Sequence, residues 1–328
     1  MRRTGTSFFR WQTARWLTGL LLSAASAASG AGPATAEPTG EGGERSEVRH
    51  IGVLAKRGRE RCELRWTHTA RYLTDAVPGV RFEIVPLEFS EVAPAVRDRR
   101  IDFLLANPAI YVRLNADHGL SLLATLTNLR LDHRLSTFGG VIFCRASSPD
   151  IHELEDLRNR SFMAVDRTSF GGWLAARREL EAAGIEVEKD LAALEFGGTH
   201  DAVVYAVREG LVDAGTVRSD TLERMAQEGL IDLNAFHVIH SRQAQESFPF
   251  FLSTRLYPEW PFTALGHVPT ALSQRVAVAL YDVDPADPAA RSSRSAGWST
   301  PHSYQAVDDC LRELKLAPYD RAESMTAG

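Results

Sequence analysis

Cysteine is scarce in this chain: Cys62, Cys144 and Cys310 are the whole complement in 328 residues. None stands in a CxxC pair or beside a histidine at metal-ligand spacing, so no metal site is expected. Two of the three could pair in an oxidising compartment, but buried free thiols are the expected state. Catalytic signatures are missing as well. There is no GxSxG, no HExxH, no Walker sequence and no GxGxxG after the first strand, and acids and bases are scattered without a spacing that demands catalysis. No enzyme activity and no cofactor are therefore expected. Positive charge is in deficit, with 37 Lys and Arg against 42 Asp and Glu and a net charge of −5. That balance argues against nucleic acid or an anionic membrane as partner. It leaves room for a small anion, because a few local backbone donors outweigh a distant net charge.

Past the N-terminus, no apolar run is long enough to span a bilayer. The first 36 residues differ from the rest: Arg2, Arg3, Arg10 and Arg15 precede a short apolar stretch at 16–28, followed by small residues and Ala34-Thr35-Ala36. This predicts a secretory signal peptide cleaved near Ala36 and a periplasmic mature protein. Its loss would move the net charge from −5 to −9, one unit for each of the four arginines. Residues 37–47 are polar and Gly-rich and read as a linker.

From residue 48 strands and helices alternate, which predicts an α/β fold with parallel sheets and right-handed crossovers. The pattern restarts near residue 147. Two lobes are expected, the first from 48–144 and 249–328 and the second from 145–248. The apolar segments 141–144 and 238–253 are the candidates for the two strands that connect them.

Four segments could carry chemistry. In 165–173 (VDRTSFGGW) a strand ends, a polar turn follows, and a helix begins. Unpaired N–H groups at a helix start carry partial positive charge. Gly171 and Gly172 would let an oxyanion approach the backbone, and Thr168 and Ser169 add hydroxyls. This is the physics of an anion cradle, although an ordinary N-cap would use the same residues. In 197–223 a second glycine turn places His200 in the first turn of a helix. The strand that follows delivers Thr216, Arg218, Ser219 and Asp220 to the next helix start. Ligands of open α/β sheets bind at such strand ends. In 101–112 (IDFLLANPAIYV) a strand ends at Asn107-Pro108, and Tyr111 lies one helical turn further, able to offer a hydroxyl to a cleft or to pack in a core. Lastly, Arg57 in 54–58 (LAKRG), with Trp66 further on, could grip an anion bidentately or sit solvated in a loop.

Taken together, 101–112, 138–145 (FGGVIFCR), 165–173, 200–223 and 248–262 (FPFFLSTRLYPEWPF) resemble the phosphate-, phosphite- and phosphonate-binding proteins of ABC importers. Within that group the chain is similar to the periplasmic sensor region of tetrathionate-sensing histidine kinases, over nearly all of residues 49–318. The resemblance implies a two-lobed type 2 periplasmic-binding fold whose hinge is two crossover strands. It matches Ser169 to the first hydroxyl of a serine- and threonine-rich anion loop, His200 to a ligand-contacting histidine, and Tyr111 to a cleft tyrosine. Phe170 and Gly171 stand where two further hydroxyls are expected, a departure that suits a less strongly hydrated anion such as a sulfur oxyanion.

The expected function is therefore capture of a small oxyanion between the lobes, by a monomer that docks either on an ABC permease or on a membrane histidine kinase. The candidate ligand residues are Asn107, Tyr111, Thr168, Ser169, Gly171, Gly172, His200, Thr216 and Arg57.

Overall fold

The structure, a computed structural model, describes residues 47–148, 150–242, 244 and 246–321. The expected signal peptide and all but the last residue of the expected linker lie outside these residues. Glu47, counted with the linker, already belongs to the first strand.

The first part of the chain runs β1 (Glu47–Leu54), α1 (Arg59–Ala76), β2 (Val80–Leu87), α2 (Phe89–Arg97), β3 (Phe103–Leu105), α3 (Pro108–His118), β4 (Ser121–Arg130) and β5 (His133–Leu135). After β6 (Thr137–Phe138) come β7 (Gly140–Arg145), β8 (Ser161–Ala164), α4 (Ala175–Ala182), α5 (Val187–Asp190), β9 (Ala193–Phe196), α6 (His200–Arg208), β10 (Ala214–Arg218), α7 (Thr221–Gln227) and β11 (Phe236–Ile239). The chain returns through β12 (Tyr257–Pro258), β13 (Pro261–Ala264), α8 (Thr270–Tyr281), α9 (Pro288–Ser293), β14 (Ser295–Ser299) and α10 (Gln305–Glu313).

These strands form two large sheets, one per lobe, and a separate two-stranded pair. The first has the order β14-β4-β13-β3-β1-β2 with β5 on the edge of β4, and the second has the order β11-β7-β10-β8-β9. Both sheets are mixed rather than purely parallel. The β2-β1-β3 and β10-β8-β9 runs are parallel, as the βαβ pattern requires. The strands that arrive from the other lobe pair antiparallel: β13 with β3 and β4, and β7 with β10 and β11.

The place where the chain changes sheets differs from the expectation. Residues 141–144 lie in β7, between β10 and β11 inside the second sheet, and 248–253 form no strand. The crossover is instead the short antiparallel pair of β6 and β12. Just beyond it, the Gly140 N–H donates to Thr254 Oγ1 (2.9 Å) and the Ile142 N–H to Ser253 Oγ (2.9 Å). Residues 253–254 are thereby pinned against the start of β7. Helix α2 starts on a capping box of Glu88 and Glu91, and α7 starts on Asp220 in the left-handed region (φ 72°).

A large apolar cluster extends from β1, α1 and β3 of the first lobe through Phe138, Phe170 and Tyr257 to Phe162 and Trp173 of the second. All three cysteines are buried and free, as expected. In this hinge region Glu223 on α7 accepts the Phe251 N–H through Oε1 (2.6 Å), while its Oε2 is buried without a partner. Burial raises its pKa to about 7. The native state therefore holds a proton on Glu223 that the unfolded chain releases near pH 4.5, and stability falls as pH rises through that window. Glu223→Gln, which keeps the acceptor and removes the charge, should melt a few degrees above the parent at pH 8 and close to it at pH 4.5, a gain on the order of 3 kcal/mol at most. Equal shifts at both pH values in thermal melts would refute the assignment.

Candidate functional site

The loop after β8 turns into its helix through one wide turn. Residues Phe170–Leu174 are π-helical, with the Leu174 N–H donating to Ser169 O (3.0 Å), before α4 continues the axis. A helix start leaves its first amides without intrahelical partners, and the i→i+5 pattern leaves one more than an α-turn would. Ser169 sits at the cap of this turn, and its hydroxyl makes no hydrogen bond among the described residues.

Phe170 explains the missing hydroxyls. Its ring is fully buried (0% exposed) and packs edge-on against Tyr257 of β12 at 4.6 Å and Phe138 of β6 at 6.1 Å. The position is committed to the crossover rather than to the cleft. Gly171 is required by the same packing: a Cβ there would lie 2.7 Å from Phe138 Cε2 and 3.2 Å from Arg218 Cβ.

His200 is the first residue of α6, whose cap Thr199 accepts the Ala202 N–H (3.2 Å). The imidazole is buried, and its Nδ1 accepts the backbone N–H of Arg218 (3.2 Å). That bond leaves the ring proton on Nε2, a neutral donor. Burial lowers the His200 pKa well below its usual value, and Lys56, Arg224 and Arg218 lower it further. His200 therefore acts as a hydrogen-bond donor without carrying a charge of its own.

Ser169, Gly171 and His200 meet Asn107, Arg218 and Lys56 around one small cavity. Its volume is about 10 Å³, close to the ~10–15 Å³ that a single water needs. The lobes are drawn together across it. The His200 N–H donates to Lys56 O (3.4 Å) and Asn107 Nδ2 donates to Thr168 O (3.0 Å).

The charges around the cavity do not balance. Arg218 is bidentate to Glu259, with Nη1–Oε2 at 3.0 Å, and stacks over Phe138 at 4.1 Å. Asp220 is shared by Arg130 (2.6 Å), Arg224 (3.3 Å) and Arg218 (3.7 Å). Burial pushes its carboxyl upward, but these three guanidiniums hold it well below the usual carboxylate range. Lys56 is buried and makes no ion pair among the described residues; its ammonium lies 4.9 Å from the centre of the Trp260 ring. Burial, then Arg218, lowers its pKa well below 10.5, with Arg224 and Arg65 adding to the effect and Asp220 alone opposing it. An anion is what this cluster lacks.

The other candidates stand elsewhere. Tyr111 packs against Tyr304, ring centres 5.1 Å apart, and is not part of the cavity wall. Thr168 donates its hydroxyl to Asp166 (2.7 Å) and reaches the cleft only through its carbonyl. Gly172 lies in the packing, where a Cβ would meet Val165 at 2.4 Å. Thr216 is buried behind the wall, with Oγ1 unpartnered. Arg57 reaches across the cleft to Asp201 (2.6 and 2.9 Å) and Glu228 (2.9 and 3.2 Å). Its role here is to tie the lobes, with four of its five N–H donors taken by these carboxylates.

Sequence reasoning passed over Lys56 and Trp260. A signal for Lys56 was present: it lies two residues beyond the carboxyl end of β1 at Leu54, where ligands of open α/β sheets bind. Both residues line the cavity.

The model of the family described as ABC transporter, phosphonate, periplasmic substrate-binding protein matches residues 51–309. The tetrathionate sensor histidine kinase TtrS of Salmonella typhimurium is 36% identical over 273 residues, which cover 83% of this chain and 44% of that protein. The chain thus spans less than half the length of this curated relative. Two solved structures share the fold. One is PhnD1 from Prochlorococcus marinus in complex with methylphosphonate, at 15% identity and TM-score 0.64, covering 82% of this chain and 99% of that one. The other is a binding protein component of a phosphonate ABC transporter from Pseudomonas aeruginosa, at 13% identity and TM-score 0.68, covering 86% of this chain and 91% of that one.

An anion beside Lys56 would favour its protonated form and raise its pKa, so binding should take up a proton above the lowered value. Affinity for an oxyanion such as sulfate or thiosulfate should then fall as pH rises from the lowered Lys56 value toward that of the anion-bound ammonium. Lys56→Met should bind more weakly and show a flatter profile. Calorimetry in buffers of different ionisation heat reads the proton directly, and identical proton uptake in parent and variant would remove Lys56 from the site.

Proposed function

Because the chain belongs to the family of periplasmic substrate-binding proteins of phosphonate ABC transporters, we propose that it captures a small oxyanion in the cleft between its two lobes and delivers it to an ABC permease. One observation carries this reading: Ser169, Gly171, His200 and Lys56 converge on a single cavity with more buried positive than negative charge. The donors are a free hydroxyl, helix-start amides, a neutral imidazole and a buried ammonium. This set suits a phosphonate, a phosphate or a sulfur oxyanion, and it contains no nucleophile–base pair.

The mechanism is closure. The second lobe supplies Ser169, the wide turn and His200, while the first supplies Lys56 and Asn107. An anion that touches both sides gains more contacts in the closed form than in the open one, and that difference shifts the equilibrium. The cross-cleft pairs of Arg57 with Asp201 and Glu228, and of Arg130 with Asp220, then hold the lobes together. The protein acts as a monomer in the periplasm, after removal of a leader near Ala36. Among the described residues no helix is long and apolar enough to cross a membrane.

A second reading is favoured by the 36% identity to a tetrathionate sensor kinase. Here the closed lobes present a bound tetrathionate-like anion to a membrane histidine kinase. Both readings share the cleft and differ in what docks on it. Co-purification with a permease or with a kinase, in the presence of the bound anion, separates them.

Ser169→Ala combined with His200→Ala should weaken oxyanion binding at least about tenfold, the loss expected for two donors to a charged group, and should also lower the unliganded melting temperature, because the Arg218 N–H loses its acceptor. A thermal-shift screen over phosphate, methylphosphonate, sulfate, thiosulfate and tetrathionate, followed by titration calorimetry, measures both. Full affinity in the double variant would place the anion elsewhere.

A further inference from the structure

Arginine supplies nearly all the positive charge of this chain. Of its 37 Lys and Arg residues only three are lysines: Lys56, Lys189 and Lys315. Lys189 and Lys315 are exposed. Lys56 is buried instead where the cations are densest, on the wall that also carries Arg218. The choice of residue matters there. A guanidinium stays charged in any protein environment, whereas a buried amine gives up its proton and becomes a nucleophile. Of the buried cations Arg130, Arg218, Arg224 and Lys56, only Lys56 can do so.

The surroundings favour that change and would welcome a negative charge in its place. Asp220 is held by Arg130, Arg224 and Arg218, and Glu259 by Arg218. Lys56 makes no ion pair among the described residues and lies against the Trp260 ring. Burial, then Arg218, lowers its pKa well below 10.5. There is also room. Besides the small cavity, Lys56 lines a larger one of about 440 Å³ that Arg65 and Arg224 line as well. Arg65 bonds Ser293 O (2.9 Å) and Asn128 Oδ1 (3.1 Å), both neutral acceptors. The carboxylate in that wall, Glu228, is already shared by Arg57, Arg61 and Arg294.

We propose that Lys56 is a carbon dioxide site: its amine adds CO2 to form a carbamate, and the carbamate competes with an oxyanion for the cations of the cleft. The new bond joins Nζ to the carbon of CO2. One C–O π pair moves onto oxygen and makes the carboxylate, and a proton leaves the nitrogen for solvent. Nothing is oxidised or reduced. The side chain changes from a potential cation to an anion, which a buried site tolerates only where it is paired, and here guanidiniums share the cavity wall. The modification stands independently of the proposed oxyanion cleft; its effect on capture rests on that reading.

The test equilibrates the whole protein with 13C-bicarbonate, traps any carbamate by methylation with trimethyloxonium, and locates it by peptide mass spectrometry. The label should sit on Lys56 and be missing from Lys189 and Lys315, which serve as internal controls. Folded parent protein without label on Lys56, or with equal label on all three lysines, would overturn the site. Calorimetry with sulfate and thiosulfate, at fixed pH and ionic strength with bicarbonate replacing chloride, reads the consequence. Affinity should fall about tenfold where about nine in ten molecules are modified. In Lys56→Arg, which keeps a cation and cannot form the carbamate, bicarbonate should have little effect. The same fall in this variant would mean that bicarbonate competes as a simple anion, and would overturn the regulatory role. If neither oxyanion binds even without bicarbonate, the cleft reading fails, while the label on Lys56 still decides the modification.

Discussion

Uncompensated positive charge, buried where the two lobes meet, is the constraint around which the rest of this structure is arranged. Asp220 and Glu259 neutralise part of it, but Asp220 alone answers to Arg130, Arg218 and Arg224. Lys56, which makes no ion pair among the described residues, lies over the face of Trp260. Such a cluster is expensive in a dry interior and becomes favourable when an anion enters. The acidic net charge of −5 does not oppose this, because the relevant field is set within a few ångströms of the ligand. The fold's task is to hold these cations still. Each is fixed at a strand end or on a helix; Arg65 is braced by a carbonyl and an amide, and Arg130 by carbonyls and an amide in addition to Asp220.

The sequence revealed the principle of the site better than its membership. Ser169, Gly171 and His200 were singled out together because glycine turns before helix starts have a physical meaning independent of context. The structure sets all three around one cavity. Lys56 was harder to find because adjacent Arg57 is the more conspicuous anion-binding residue type. Sequence alone does not say that Asp201 and Glu228, far along the chain, occupy that guanidinium. Tyr111 fails for a similar reason, since the ring of Tyr304, which it packs against, comes from the far end of the chain.

The same limit applies to the fold. Alternating strands and helices made the α/β class and the two lobes readable. β13 and β14 were not, because a short PFTA run with a proline and an SAGWS run with a glycine are weak strand signals. Missing them hid the antiparallel half of the first sheet and pushed the expected crossover toward the more apolar segments nearby. The true crossover, β6 with β12, is so short that no periodicity can mark it.

Phe170 gives this crossover a second role. Its ring is wedged between Phe138 and Tyr257 at the pivot, while its chain neighbours Ser169 and Gly171 line the small cavity. Pivot and binding loop are therefore one mechanical part. Rotation of one lobe against the other must turn the loop, and whatever settles on the loop must bias the rotation. The protein reads its ligand through the axle on which it turns, so the usual distance between a recognition point and the joint it controls shrinks here to a single residue.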